Sequence, residues 1–138
     1  MVEGQTPQQN PDPLTRGVIP YIQVEGAVAA IAFYAKAFGA REISRTGGGE
    51  SGKIMNAQLE INGGLLMVMD AMPEHGFALQ PSHSYSMQLM VPDGQAWFDR
   101  AVEAGCVVTT PFQKMFWGDL WGGVIDPFGV RWGFDQPA

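Results

Sequence analysis

The chain has 138 residues, of which 46% are hydrophobic and 16% charged, and its net charge is −6. That size and apolar content fit one globular domain with a real core. A negative chain without a basic patch excludes nucleic-acid binding through phosphate contacts. The single cysteine, Cys106, excludes an internal disulfide and any cysteine-rich metal site. Its place after Gly105, at the start of a strand, marks it as a buried structural thiol. No apolar run is long enough to cross a membrane. The first residues lack the charged start and apolar core of a signal peptide, so the expected location is cytoplasmic. Charged residues fall well below the usual share of about 25%. Four Trp, eight Phe and eight Met therefore need cover. An apolar cavity and a subunit interface would both supply it, so a homodimer is expected.

In chain order, residues 1–16 hold Pro7, Pro11 and Pro13 and almost no large apolar side chain. They read as a flexible N-terminal arm, which leaves 17–138 as a single domain. A strand is expected over 17–24, with Pro20, Ile22 and Val24 on one face and Ile19, Tyr21 and Gln23 on the other. A helix follows over 26–38. Val28, Ile31, Ala32 and Ala35 fall at helical spacing on one stripe, Lys36 suits the last turn and Gly39 caps it. A short strand over 41–46 leads to the loop 47–52 (GGGESG). A phosphate cradle would need a helix and a Lys-Ser/Thr pair after those glycines. Here Lys53 precedes Ile54 and the segment alternates, so the glycines form a hairpin loop. Strands over 53–61 and 65–70 complete a first module, about 17–70. Residues 71–83, with Pro73 and Pro81, are a linker.

The second module, about 84–135, repeats the plan. A strand over 84–91 places Tyr85, Met87, Leu89 and Val91 on one face. Asp93 caps a helix that runs to Ala104 with Trp97, Ala101 and Ala104 on one side, and Gly105 closes it. The last stretch, 117–134 (WGDLWGGVIDPFGVRWGF), reads as strand, forced turn and strand. Asp126 and Pro127 start the turn and Gly129 completes it. Val130, Trp132 and Phe134 then alternate with Arg131 and Gly133. Gly105 lies 66 residues after Gly39, Ala101 lies 66 after Ala35, and Gly129 lies 65 after Gly64. The predicted fold is α+β, with the order βαβββ performed twice.

A tandem βαβββ chain of this length resembles the vicinal oxygen chelate superfamily of glyoxalase I, bleomycin-resistance proteins, fosfomycin-resistance enzymes and extradiol dioxygenases. Tyr21-Ile22, residues 33–40 (FYAKAFGA), residues 70–73 (DAMP), Trp117-Gly118-Asp119 and residues 126–132 (DPFGVRW) look like its PhnB-like branch. The resemblance covers about 17–135. It implies a curved, funnel-like mixed sheet with the helices outside. Metal-using members place His, Glu or Gln on the funnel side of the first and last strand of each module. Those positions here are Ile19, Met67, Ser86 and Gly133. Such a set cannot hold a catalytic metal, so neither a metal nor another cofactor is expected.

Strand parity puts Ile22, Val24, Leu66, Val68, Met87, Leu89, Val91, Val130, Trp132 and Phe134 on one apolar face, beneath the helices. The other face mixes apolar bodies with a few polar groups, as small-molecule sites do. The candidate ligand-binding residues are Ile19, Tyr21, Gln23, Met67, Ser86, Gln88, Met90 and Arg131, with Trp117 and Trp121 near the opening. His75 sits in the linker and His83 just before a strand, where solvation or a local bond accounts for each. Asp119, between Trp117 and Trp121, is an acid that could face the funnel mouth. The expected function is metal-independent binding of a small molecule, sequestering a drug or metabolite. The alternative is a lyase or dioxygenase-like enzyme on a small oxygenated substrate, with a metal held by His83 or nearby acids.

Overall fold

The computed structural model describes residues 8–47 and 49–138. One unit comprises β1 (Tyr21–Val24), α1 (Ala27–Phe38), β2 (Arg41–Gly47), β3 (Ile54–Ile61) and β4 (Gly64–Asp70). The next comprises β5 (Met87–Met90), α2 (Gly94–Ala104), β6 (Val107–Lys114), β7 (Leu120–Ile125) and β8 (Arg131–Gln136). Each unit builds its own four-stranded mixed sheet, in the orders β1-β4-β3-β2 and β5-β8-β7-β6, and neither sheet closes into a barrel. The first and last strands of each unit run parallel, with Tyr21 opposite Met67 and Gln88 opposite Gly133. This is the α+β tandem βαβββ architecture that the repeat predicts. Of the arm expected over 1–16, residues 1–7 lie outside the described residues, and Pro13–Thr15 forms a 3-10 turn capped by Asp12.

The helix-covered faces match strand parity. Ile22, Val24, Leu66, Val68, Leu89, Val91, Val130, Trp132 and Phe134 are buried, and Met87 packs partly buried against them. Two strands are shorter than their alternation suggests. β1 begins only at Tyr21, although the Pro20 carbonyl already accepts the Met67 amide at 2.9 Å. β5 begins at Met87, opposite Trp132 of β8, so Ser84, Tyr85 and Ser86 precede the strand. Pro111 is tolerated within β6 because that strand lies at a sheet edge.

The helix faces depart from the expected stripes. In α1 the buried residues are Ala27, Ala30, Ile31, Tyr34, Ala37 and Phe38. Val28 is half exposed, and Ala32 and Ala35 face outward. Eleven of the twelve residues of AVAAIAFYAKAF are apolar, so spacing alone fits several stripes. Volume chooses among them, because Tyr34 and Phe38 remove far more surface from water than alanines do. In α2 the buried set is Gly94, Phe98 and Ala101, while Trp97 and Ala104 are only partly covered.

The duplication extends to the way each helix begins. Gly26 offers α1 no side-chain cap. Asp70, at the end of β4, supplies one: its Oδ1 accepts the amides of Gly26 (3.1 Å) and Ala27 (2.8 Å), and its Oδ2 accepts that of Ile54 (2.7 Å). Gln136, 66 residues later at the end of β8, accepts the Gly94 amide at 3.0 Å, beside the Asp93 cap on Ala96. The tight turns correspond too. Asn62 and Gly63 both have positive φ, 50° and 77°, as a two-residue turn between β3 and β4 requires. Gly129, with φ of 85°, therefore matches Gly63 rather than Gly64, and the separation becomes 66 here as well.

The two units share one core. Tyr34 and Phe38 of α1 pack against Trp132 of β8, with ring centroids 5.6 and 4.3 Å away. Arg100 of α2 donates to the carbonyls of Lys36 (2.8 Å) and Ala35 (3.3 Å) in the last turn of α1, and the Ala35 carbonyl also accepts the Gly39 amide at 3.1 Å.

Candidate functional site

The open face of the first sheet carries the larger cavity, about 780 Å³, with Tyr21, Met55, Met69, Met72 and Phe77 among its lining residues. Tyr21 on β1 reaches across the sheet and donates its hydroxyl to the Met55 carbonyl on β3 at 2.8 Å. The segment after β4 folds back beside it: the Met72 amide donates to the Phe77 carbonyl (2.7 Å) and the Phe77 amide to that of Met72 (2.9 Å). That small loop places Met72, His75 and Phe77 at the cavity. Lys53 and Glu74, 3.6 Å apart, also line it. Three thioethers and two aromatic rings make a wall that is apolar, polarizable and adaptable.

The open face of the second sheet carries a cavity of about 460 Å³ with a different character. Its lining includes Ser84, Ser86, Gln88, Thr109, Thr110, Trp121 and Arg131. Trp121 donates its indole N–H to Gln88 Oε1 at 3.0 Å, and Gln88 Nε2 donates to Ser86 Oγ at 2.9 Å. Glycine is required beneath this chain. A Cβ on Gly133 would stand 2.5 Å from Gln88 Oε1, and one on Gly123 would stand 2.9 Å from Thr109 Oγ1 and 3.0 Å from the Trp121 ring. Arg131 donates through Nε to His83 Nδ1 at 3.2 Å. His83 is thus locally bonded, with Nδ1 the acceptor and the proton of the neutral ring on Nε2.

The candidate residues are distributed as follows. Tyr21 lines the first cavity; Ser86, Gln88, Trp121 and Arg131 line the second. Gln23 lines a smaller recess with Leu79, Tyr85 and Phe128. Met90 is exposed at the far end of β5, beside Pro92 and Pro137. Met67 is partly buried opposite Tyr21 and Gln58. Ile19 is partly buried ahead of β1. Trp117 is half exposed in the turn between β6 and β7, edge-on to Phe116.

Asp119 accepts the Ala138 amide at 3.0 Å. Burial first, and Asp119 second, hold the Asp135 carboxyl above the usual range. Asp126 is more than a turn former. Its Oδ1 accepts the amides of Phe128 and Val130, and its Oδ2 accepts Tyr34 Oη and Trp132 Nε1.

A transition metal needs about three imidazole, thiolate or carboxylate donors. Ile19, Met67, Ser86 and Gly133, where metal-using members would carry ligands, offer one hydroxyl between them and do not fit such an ion. Among the described residues, no group of three or more His, Cys, Asp or Glu side chains comes together to hold one. No helix among them is long and apolar enough to cross a membrane.

Sequence reasoning did not single out Met55, Met72 and Phe77. Met55 alternates with buried Ile54, which was the available signal. Nothing local brings residues 72–77 over the first sheet.

The chain is similar to the protein Rv0887c of Mycobacterium tuberculosis, at 38% identity over 99% of this chain and 81% of that one. Among solved structures it is similar to protein PA1353 from Pseudomonas aeruginosa, with a TM-score of 0.72 and 27% identity, covering 87% of this chain and 96% of that one. The PhnB protein from Bacillus cereus shares the fold, with a TM-score of 0.67 at 20% identity over 88% of this chain and 99% of that one. A family model matches residues 18–134. The chain belongs to the Glyoxalase/Bleomycin resistance protein/Dioxygenase superfamily.

Proposed function

We propose that the protein is a metal-independent binder of a small organic molecule, which it holds on the open faces of its sheets and sequesters as a drug or metabolite. Within the superfamily we assign it to the PhnB-like branch, on the five stretches that resemble it and on the fold shared with the Bacillus cereus protein. One observation carries the binding reading: the methionine-lined cavity of about 780 Å³ beside Tyr21 and Phe77. Its size falls within the range of about 300 to 1,000 Å³ common for small-molecule sites. Its thioethers can repack around an irregular apolar ligand without a conformational step. The site residues of this reading are Tyr21 in that cavity and Ser86, Gln88, Trp121 and Arg131 in the polar one. The reading includes a cytoplasmic homodimer.

Titration with Nile red, a neutral apolar dye, tests it. One dye per chain is expected, with binding lost in Met55→Gln and Phe77→Ala. Both side chains are about half exposed, at 56% and 49%, so these variants keep the core intact. Absence of dye binding, or binding that neither change weakens, overturns the reading. Elemental analysis of untagged protein is expected to find no stoichiometric Zn, Ni, Fe or Mn. One equivalent per chain, lost on changing His83, overturns metal independence.

A further inference from the structure

We infer that the polar cavity of the second sheet takes an oxyanion carried on a planar ring, an aryl carboxylate or aryl phosphonate. The inference deepens the small-molecule reading and rests on it, but the cavity shares no lining residue with the methionine-lined one. Three features of the cavity agree.

The first is charge. The chain carries 14 acidic residues against 8 Lys and Arg, yet no Asp or Glu lines this cavity, and Arg131 does. Among the described residues Arg131 forms no ion pair, and its guanidinium makes one hydrogen bond, through Nε to His83. The two terminal nitrogens keep four N–H donors without a protein acceptor. A partly buried guanidinium in that condition is matched by a bidentate oxyanion.

The second is the direction of the neighbouring hydrogen bonds. Trp121 donates to Gln88 and Gln88 donates to Ser86, so the Ser86 oxygen is already an acceptor and its own proton is left to donate. His83 accepts from Arg131 on Nδ1, which places the ring proton on Nε2 as a further donor. The guanidinium, imidazole and hydroxyl groups that line the cavity thus all have donors to offer. A cation would meet the wrong sign in Arg131.

The third is shape. The indole of Trp121 lies against Gly123, and Gln88 lies over Gly133. Glycine at both floor positions gives the Trp121 ring and the Gln88 amide room to lie close to the sheet. The indole, which lines the cavity beside the donors, is the group a planar ring would pack on.

Calorimetry with four ring compounds of similar size tests the inference: benzoate, phenylphosphonate, neutral benzamide and cationic benzamidine. One anion per chain is expected, bound at least about tenfold more tightly than benzamide, with benzamidine weakest. Arg131→Gln should weaken the anion by about tenfold or more and narrow the preference for the anion over benzamide. Ser86→Ala, whose small change leaves the sheet intact, should weaken it several-fold. The ratio of benzoate to phenylphosphonate affinity separates the two oxyanions. Benzamidine or benzamide binding as well as benzoate, an anion affinity unmoved in Arg131→Gln, or no anion binding at millimolar concentration would each overturn the inference. Nile red binding that persists through any of those outcomes leaves the small-molecule reading standing and removes this one alone.

Discussion

The hydroxyl of Tyr34 on α1 donates to Oδ2 of Asp126 at 2.7 Å, joining the helix of the first module to the last turn of the second. Both residues are buried. Asp126 accepts four hydrogen bonds, two on each oxygen, which is the condition under which a buried carboxylate is tolerated.

Tyr34→Phe removes one donor and leaves the ring packing in place. The expected loss of stability is about 1 to 3 kcal/mol by urea unfolding. Asp126→Asn should cost more. Its amide turns an N–H₂ group toward two donors in either orientation, so no flip satisfies it. Equal losses for the two variants would show that the carboxylate's charge and four acceptor sites are not what the turn requires.

Asp70→Ala strips the amides of Gly26, Ala27 and Ile54 of their acceptor. With three backbone donors left in a largely buried setting, a loss of about 3 kcal/mol or more is expected. Amide exchange should rise first at the start of α1 and at Ile54. Protection unchanged at those sites would contradict a capping role.

Stability should fall at alkaline pH. Burial, and then the neighbouring Asp126, push the Cys106 thiol up from 9.0 to about 12. The same two causes, in the same order, raise the Tyr34 phenol far above its ordinary value of 10.0. Both groups hold their protons more tightly in the folded chain. Their contribution is therefore fully present below the unfolded pKa values and is lost as the pH climbs through about 9 and 10 toward the folded ones. Each group adds a slope of about 1.4 kcal/mol per pH unit within its window. Tyr34→Phe should flatten the loss above pH about 10, and Cys106→Ala the loss between about 9 and 12. An unfolding midpoint independent of pH across this range would refute the burial of both. The native thiol should also resist disulfide reagents at neutral pH until the chain is unfolded.

Tyr21, Met55, Phe77, Met90 and Trp117 are each about half exposed or more, and Phe116 is 97% exposed. Light scattering over a dilution series is expected to give twice the 15.0 kDa of one chain. A mass of one chain at micromolar concentration, with nothing larger, would defeat the homodimer.

Much of the fold was legible because its signals are local. Gly39 and Gly105 both have positive φ at the helix ends, and Asp93 caps the amide its position suggests. The alternation of Val130, Trp132 and Phe134 fixes which face of β8 is covered, since a pleated strand offers two sides only. A helix made almost wholly of apolar residues carries no such choice, and Val28, Ala32 and Ala35 fitted a stripe that Tyr34 and Phe38 override. The same strand parity places Ser86, Gln88 and Arg131 together, and they line one cavity. The other cavity takes Met72, Glu74, His75 and Phe77 from residues 72–77. They reach it by a fold-back of the linker, whose hydrogen bonds run between backbone groups and leave no mark on residue type.

The partners of Tyr34 are made late. Asp126 lies 92 residues downstream, and Trp132 and Phe134, which pack on Phe38, come later still. During synthesis the first module therefore emerges with a phenol and two aromatic faces open to water. A nascent chain stopped before Asp126 lacks the partners that cover these side chains in the folded protein. Halting translation between the modules should yield aggregates, and release should come only when the final hairpin clears the ribosome.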